Sequence, residues 1–257
     1  MKRATPCPAP IKGTDSEPWV KLETEQNFTA WTHEDLIRHN QTSRQIEKAL
    51  FYRRAFDYLE CLGIQGDYFE YGCHRVRTFR MALTEARRHF MDSMRFFAFD
   101  SFEGLPPAKT KSHMSGWTRG NLFTSERDFL RLVRQHGIYL DRIRIFKGFY
   151  NTKLTTALEK RLLSHCSRIA LVTIDCDLYE SAVPVFRFID PLLQEGSLIY
   201  IDDLFAGYKG NPLKGVSRAF LEYQKKSRWN FVRHLDIGWW GRSYITYKAE
   251  RPFVGVL

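Results

Sequence analysis

The sequence predicts an α/β protein: a doubly wound, mostly parallel sheet of seven strands, Rossmann-like, with a helical N-terminal extension. Three short apolar runs carry this prediction, residues 94–99, 169–174 and 197–201. Each is short for a helix and continuous rather than alternating, as in strands buried on both faces. Helical segments follow them. Repeated strand–helix units require right-handed crossovers, which place helices on both faces of one sheet.

The N-terminal part is predicted to be an irregular lead-in followed by one long helix. Residues 1–25 are rich in Pro, Lys and Glu and show no periodicity, which is typical of loops. Residues 32–62 carry apolar side chains at helical spacing, and Thr32 can cap this helix with Asp35 three residues later. We therefore divide the chain into an extension, residues 1–62, and a main domain, residues 63–257.

From residue 66 onward, predicted strands and helices alternate. Ser125 is the clearest cap, because Glu126 and Asp128 follow it in the first turn, where negative charge is favourable. The predicted strands are residues 67–71, 96–100, 142–146, 169–174, 198–201, 231–235 and 243–247, of which the last two form a closing pair. The predicted helices between them are residues 75–90, 125–135, 155–165, 181–196 and 216–225.

Composition is that of an ordinary globular protein. A chain of 257 residues with 44% hydrophobic residues can bury a full core. The five cysteines, at positions 7, 61, 73, 166 and 176, have no regular spacing, which argues against a disulfide framework or a zinc site and favours a reducing compartment. No signal peptide is expected, and no stretch is long enough to span a bilayer. We expect a soluble, cytoplasmic protein with no membrane partner.

The net charge of +10 raises the question of nucleic-acid binding. The basic residues are scattered along the chain, however, without a basic tail, an aromatic RNA-binding signature or zinc-finger spacing. Solvated helix faces account for such a distribution better than a nucleic-acid groove does. We expect no nucleic-acid partner, and an anionic small substrate remains open.

The turn after the first strand and the tip of the second indicate a cofactor crevice. Glu70 and Gly72 form an acidic-x-Gly turn, although the dinucleotide fingerprint is absent, because positions 74 and 77 are His and Arg. Asp100 ends the second strand, where a doubly wound fold places a carboxylate that accepts the hydroxyls of a ribose. A structural turn glycine and a turn-capping aspartate are the alternatives.

A second acidic group ends two later strands. Asp175 and Asp202 follow runs that are predicted to pair side by side, and adjacent strands lie about 4.8 Å apart, so the two carboxylates can share a divalent cation. Asp203 can supply a third oxygen, and oxygen ligands favour Mg²⁺, Ca²⁺ or Mn²⁺. Three like charges this close are costly without a cation or a proton. The alternative is that Asp177 and Ser181 only cap the next helix.

These segments together resemble a known family. Residues 100–106 read DSFEGLP, residues 175–181 read DCDLYES, and Asp202-Asp203, residues 147–149 and residues 214–216 add to the likeness. They look like the macrocin O-methyltransferase family, which comprises class I S-adenosylmethionine-dependent enzymes that methylate sugar hydroxyls of macrolides and related natural products with a magnesium ion. The likeness extends from about residue 66 to residue 247.

The resemblance implies roles for individual residues. The implied metal ligands are Asp175, Asp202 and Asp203, with Asp175 also near the reacting hydroxyl and catalytic. The implied contacts with S-adenosylmethionine are Glu70, Tyr71, Gly72, Asp100, Ser101, Gly148, Phe149 and Asp175. Residues 73–77 differ from the family, whose loop is richer in glycine and small residues. His113, after the second strand, is our candidate catalytic base and His74 a second one; a surface or structural histidine is the alternative for both.

Two other functions remain open at this stage. A hydrophobic run that ends in Asp-x-Asp also marks nucleotide-sugar glycosyltransferases that use a metal, and this would explain Asp175 and Asp177 only. A basic RNA-binding α/β module is supported by net charge alone. The expected partner is a small-molecule acceptor with a sugar hydroxyl, whose identity the sequence does not reveal. The chain is open to being a monomer or a homo-oligomer.

Overall fold

The computed structural model describes residues 30–109, 112–165 and 167–248. These residues form one seven-stranded sheet in the order β3-β2-β1-β4-β5-β7-β6, in which only the pairs that involve β7 are antiparallel. The strands are β1 Asp67–Tyr71, β2 Phe96–Asp100, β3 Ile143–Lys147, β4 Ile169–Ile174, β5 Leu193–Ile201, β6 Asn230–Ile237 and β7 Gly241–Tyr247. This confirms the predicted fold, including the closing hairpin.

Seven α-helices occur in the described part of the chain: α1 His33–Cys61, α2 Arg77–Arg88, α3 Glu126–His136, α4 Tyr150–Lys153, α5 Thr156–Ser164, α6 Tyr179–Ile189 and α7 Gly215–Gln224. Two predicted caps are confirmed. The Ser125 hydroxyl accepts from the Asp128 amide, and Thr32 and Asp35 bond reciprocally, each side chain accepting from the backbone amide of the other. The predicted lead-in, residues 1–25, lies outside the described residues.

Two predicted helices are longer than the observed ones. The helix predicted over residues 181–196 begins at Tyr179 and ends at Ile189. It ends there because Pro191 lacks the amide proton that the next helical hydrogen bond needs. A short 3₁₀ turn then leads into β5. Ser181 is therefore inside α6 and does not cap it. The helix predicted from residue 75 begins two residues later, since Arg75 and Val76 have positive φ angles.

The core consists of two apolar layers, one on each face of the sheet. Successive residues of β1 alternate between them: Tyr68 lies in one layer, and Phe69 and Tyr71 lie in the other. Tyr52 and Phe56 of α1 are fully buried in the first layer. Both faces of the sheet are thus covered, as the doubly wound prediction requires.

The chain divides into two compact units, residues 1–45 and residues 46–257. The larger unit contains the whole sheet and the second half of α1. The division into residues 1–62 and 63–257 stays a prediction. Within the described residues, no helix is long and apolar enough to cross a membrane. Cys61, Cys73 and Cys176 are free thiols.

Candidate active site

The loops after β1, β2, β4 and β5 meet at the carboxyl edge of the sheet. Ile174 pairs with Tyr71 on one side and with Ile201 on the other. The hydrogen bonds continue one residue past the strands: the Asp175 amide donates to Tyr71 O and the Asp202 amide to Ile174 O, both at 2.9 Å. Asp175 and Asp202 therefore leave adjacent strands at the same level, as the sequence predicts.

Gly72 makes the edge compact. Its φ of +92° lies in the region that favours glycine, and a Cβ atom built there would be 1.8 Å from the carbonyl oxygen of Asp175. The space beside Gly72 is thus filled by the backbone that follows β4. Only a residue without a side chain allows the turn after β1 and the turn after β4 to touch.

Three carboxylates gather at this edge. Oxygens of Asp175, Asp177 and Asp203 lie within 4.8 Å of one another. Asp177 and Asp203 have φ angles of 58° and 52°, a left-handed conformation that aspartate tolerates better than most residues. This conformation turns the chain sharply after each strand. The expected ligand set, Asp175, Asp202 and Asp203, shares two members with this group and stays a prediction; Asp177 is a further carboxylate at the same edge.

In the acidic trio, Asp177 is buried and Asp175 and Asp203 are partly buried, which disfavours full ionisation. Burial raises the pKa of Asp175 and Asp203 well above the ordinary value, and the charge of Asp202 adds to the effect in both. Burial also raises the pKa of Asp177 to about 6. Such a group accepts protons readily, and a divalent cation would neutralise it equally well.

Asp202 has partners of its own, including a lysine that the sequence analysis missed. Lys48 of α1 donates from Nζ to Asp202 Oδ2 at 2.8 Å and to Asp175 Oδ2 at 3.1 Å. The other oxygen of Asp202 accepts from Trp240 Nε1 at 2.9 Å and from the Tyr200 hydroxyl. Burial disfavours the Lys48 ammonium, but the charges of Asp175 and Asp202 outweigh it and hold its pKa well above the ordinary value.

A sequence signal for Lys48 did exist. The residue lies three and four positions before Phe51 and Tyr52, which are both buried, so it stands on the face of α1 that is directed to the core. A lysine in that row is unusual unless a carboxylate faces it. The sequence does not say which carboxylate, because Asp175 lies 127 positions away.

Asp100 ties the loops of the first crevice together. Its Oδ2 accepts from the Cys73 amide at 2.6 Å and its Oδ1 from the Phe102 amide at 2.7 Å. Its carbonyl accepts from the Gly148 amide at 2.9 Å, which brings the loop after β3 to the same place. Burial raises the pKa of Asp100, while the two backbone donors oppose that rise.

Ser101 and Phe149 lie in the loops after β2 and β3, next to Asp100 and Gly148 in the sequence. The Ser101 hydroxyl donates to Gly104 O at 2.8 Å and accepts from the Glu103 amide at 3.1 Å, which fixes the tight loop after β2. Phe149, at the N-terminus of α4, is half-buried. Asp100, Ser101, Gly148 and Phe149 thus lie on two loops joined by the Gly148–Asp100 hydrogen bond, and their contact with a cofactor stays a prediction.

Glu70 and Tyr71 lie deeper than expected. Glu70 is fully buried, and its carboxylate accepts from the Tyr68 hydroxyl and from the Thr78 hydroxyl of α2. The Tyr71 ring stacks on Phe99 with centroids 4.7 Å apart, and its buried hydroxyl has no hydrogen-bond partner among the described residues. Both side chains pack in the core below the glycine turn, on opposite faces of the sheet, rather than at its surface.

The two candidate bases differ in their surroundings. His113 is exposed. Two contacts with Gly207 hold its loop in place. The His113 amide donates to Gly207 O at 2.8 Å, and the Trp117 ring packs so closely on Gly207 that a Cβ atom there would lie 2.1 Å from it. Gly207 follows Asp203 by four residues, so this loop is attached to the segment beyond the acidic trio. His74 is half-buried and contacts the Thr124 hydroxyl at 3.1 Å, and burial lowers its pKa.

The buried carboxyl of Glu70 predicts a pH-dependent stability. Burial raises its pKa from the ordinary 4.5 to about 7, so between these values the folded state binds a proton that the unfolded state releases. Stability from this group is complete below about pH 4.5 and is lost as pH rises through about 7, by about 3 kcal/mol.

Glu70→Gln keeps a neutral group of the same shape and is expected to remove this dependence. The measurement is denaturant unfolding of wild type and variant from pH 5 to pH 8, with exposed Glu103→Gln as control. Wild type should lose stability relative to Glu70→Gln as pH rises. A constant difference between them across this range would contradict the prediction.

The sheet order, the antiparallel β7 and the clustered loops at the carboxyl edge define a class I methyltransferase fold, and solved structures of this kind share it. The O-methyltransferase NovP matches with a TM-score of 0.62 at 20% identity, over 78% of this chain and 79% of that one. The calicheamicin methyltransferase CalS11 matches with a TM-score of 0.63 at 16% identity, over 88% and 86%.

The chain belongs to the macrocin O-methyltransferase (TylF) family, whose model matches residues 47–234. The resemblance inferred from the motifs is thereby confirmed. One relative is the 8-demethyl-8-(2,3-dimethoxy-alpha-L-rhamnosyl)-tetracenomycin-C 4'-O-methyltransferase of Streptomyces olivaceus, which is 26% identical over 147 residues. The match covers 55% of this chain, and the chain spans about half the length of that relative (54%).

Proposed function

We propose that this protein transfers the methyl group of S-adenosylmethionine to a hydroxyl of a sugar or a glycosylated small molecule, assisted by a magnesium ion. The observation that carries the proposal is that the proposed cofactor site and the acidic trio are adjacent. Gly72 lies next to Cys73, whose amide bonds to Asp100, and it also contacts the backbone of Asp175 in the trio. The tetracenomycin relative is named as a 4'-O-methyltransferase and CalS11 as a TDP-rhamnose 3'-O-methyltransferase, which supports a sugar acceptor.

The first crevice fits the cofactor. Each carboxylate oxygen of Asp100 accepts one backbone amide, which leaves each oxygen able to accept once more, as two ribose hydroxyls require. Gly148 and Phe149 would border the adenine. In this proposal Glu70, Tyr71 and Gly72 support the turn from beneath. The cofactor, when bound, supplies an electrophilic methyl group.

The second crevice fits a hard divalent cation. Carboxylate oxygens within 4.8 Å of one another are the ligands that magnesium prefers. A magnesium ion bound there would orient and acidify adjacent sugar hydroxyls.

The chain's own residues must position the acceptor and receive its proton. An alcohol is a poor nucleophile and has to lose its proton during attack. Asp175 would lie beside the reacting hydroxyl, because it stands where the two crevices touch. His113 is the candidate base for this proton, and a carboxylate of the acidic trio that does not hold the cation is the alternative. Holding the hydroxyl in line with the methyl group supplies much of the remaining rate.

The decisive test combines binding and turnover. The chain is heated with S-adenosylhomocysteine, with a nucleoside diphosphate sugar plus Mn²⁺, and with an RNA oligonucleotide, since a ligand of the native state raises the melting temperature. The methyltransferase proposal expects a shift with S-adenosylhomocysteine. It also expects a methylated product, detected by mass spectrometry, from S-adenosylmethionine, Mg²⁺ and a panel of rhamnosylated compounds and nucleotide sugars. A shift with RNA alone, or with the nucleotide sugar and Mn²⁺ but not with S-adenosylhomocysteine, would contradict it.

We also propose a cytoplasmic location. The support is compositional: five cysteines without regular spacing suit a reducing compartment, and the methyl donor is a soluble metabolite.

A further inference from the structure

The turn between β6 and β7 lies next to the end of β5. Strands β5 and β7 are antiparallel, and the last residue of β5 pairs with Arg242, the second residue of β7. The residues that precede β7 therefore stand at the carboxyl edge of the sheet. Two hydrogen bonds join them to the segment after β5: Trp240 Nε1 donates to Asp202 at 2.9 Å, and the Phe205 amide donates to Trp240 O at 3.0 Å. The turn is thus attached to the segment that contains Asp203 of the acidic trio.

This turn is tightly packed. Trp240 is only 7% exposed. Gly238 has a φ of +55°, and a Cβ atom built there would lie 2.1 Å from the Trp240 ring. The backbone therefore passes closely around a buried indole. Trp239 lies between these two residues, so its place at the edge of the sheet is set by them.

Trp239 is the exposed member of the pair. It is 60% exposed, and its ring meets Trp240 edge to face, with centroids 6.0 Å apart and planes at 87°. Single exposed apolar side chains are common on protein surfaces, but an indole in water forgoes the free energy of burying a large apolar ring. This indole follows a packed turn and adjoins the residue that bonds to Asp202. It therefore borders the space in which an acceptor at the acidic trio would lie.

The chemistry of a sugar ring matches these neighbours. Its hydroxyl groups project around the edge of the ring, and its faces carry C–H bonds. A cation and its carboxylates interact with hydroxyl oxygens and protons, whereas the face of an aromatic ring carries partial negative charge and packs favourably on C–H bonds. An indole also has only two rotatable side-chain bonds, so little freedom is lost when it stacks. A sugar held by its hydroxyls at the trio thus offers a ring face to Trp239.

We propose that Trp239 is the stacking surface for the sugar ring of the acceptor, and that it sets affinity and specificity for a cyclic sugar while taking no part in proton transfer. This inference rests on the proposed function, which assigns a sugar hydroxyl as the methyl acceptor. It adds the residue that recognises the ring as distinct from the hydroxyl.

Trp239→Ala removes the aromatic face. The contact is made in the ground state and in the transition state alike, so its loss should raise KM for the acceptor about tenfold and leave kcat within about threefold. Trp239→Phe keeps an aromatic face and should recover most of the loss. Because the side chain is mostly exposed, the melting temperature of Trp239→Ala should change by less than about 2 °C.

Phe90→Ala is the matched control. Phe90 is 81% exposed, but it lies between α2 and β2, at the edge of the sheet opposite to the acidic trio. Loss of this exposed aromatic ring should leave KM and kcat unchanged. The comparison separates a contact with the acceptor from a general effect of removing an apolar surface residue.

The experiment uses the full chain and two measurements. Steady-state rates are taken with S-adenosylmethionine, Mg²⁺ and each compound of the panel that yields a methylated product. Saturation-transfer NMR of methyl α-L-rhamnoside and methyl α-D-glucoside, with S-adenosylhomocysteine and Mg²⁺ present, measures sugar binding without turnover. These probes have no aromatic aglycone, so weaker transfer to their ring C–H protons in Trp239→Ala reports stacking on the sugar itself.

Four results would overturn the inference. They are unchanged KM and sugar binding in Trp239→Ala, a fall in kcat alone, a loss confined to acceptors with an aromatic aglycone, and no binding of either methyl glycoside by wild type at millimolar concentrations. The NMR comparison decides the matter if no compound of the panel is methylated. If the inference fails while wild type binds S-adenosylhomocysteine and methylates an acceptor, the proposed function stands; if neither occurs, the proposed function fails separately.

Discussion

Asp203→Asn is expected to lower the rate of methyl transfer by about a thousandfold, which is the scale on which a preorganised electrostatic group acts. The substitution removes one carboxylate of the acidic trio, so that the site loses both a ligand oxygen and a negative charge. Asparagine tolerates the positive φ of this position as aspartate does. The loss should therefore come from chemistry rather than from misfolding.

The measurement is turnover under saturating Mg²⁺, together with calorimetry of S-adenosylhomocysteine. Cofactor affinity should stay within about twofold, because the proposed cofactor site lies around Asp100 and not at Asp203. Asp141→Asn, whose side chain is 83% exposed, is the control and should retain full activity. Turnover of Asp203→Asn within tenfold of wild type would exclude the trio as the reacting centre.

Gly72→Ala is expected to destabilise the fold by about 3–5 kcal/mol, the range of a severe single substitution. The new Cβ would lie 1.8 Å from the carbonyl oxygen of Asp175, and a φ of +92° is unfavourable for alanine. The contact atom is backbone and cannot rotate away, so the turn after β1 or the turn after β4 has to move.

Chemical denaturation and thermal melting measure this effect, with a fall of roughly 10 °C or more for a chain of this size. Gly116→Ala is a matched control, because a Cβ at Gly116 meets no atom within 4 Å and this glycine has no positive φ of this kind. The control should change stability by less than about 1 kcal/mol. Equal stability of the two variants would show that the turns move apart at little cost.

Local sequence pattern was sufficient to predict the sheet and the gathering of acidic residues at its carboxyl edge. Continuous apolar runs predicted the strands, and the acidic residues directly after them, such as Asp100 and Asp175, had to lie at the carboxyl edge whatever the side-chain details. Two-residue periodicity could have placed Glu70 and Tyr71 on opposite faces of the sheet. It could not show that both side chains are covered, because burial depends on helices far away in sequence.

The details of the acidic cluster depended on information that no local pattern contains. Asp177 joins the trio through a left-handed backbone turn, and aspartate is only permissive for that conformation. Asp202 pairs with Lys48, which lies on a helix 154 positions earlier in the chain. Long-range ion pairs depend on how helices and strands pack together. The clustered aspartates predict that some positive group neutralises them, but the sequence does not say which one.

The contact between Gly72 and Asp175 also bears on how such a protein could acquire new acceptors. If one crevice holds the methyl donor and the other the acceptor, this direct backbone contact fixes the distance between the two bound molecules. A displacement of about 1 Å at a reacting centre costs about a hundredfold in rate. Sequence changes that alter acceptor choice are then expected in peripheral loops such as residues 112–117. Changes there can reshape the acceptor pocket and leave the distance between donor and acceptor the same.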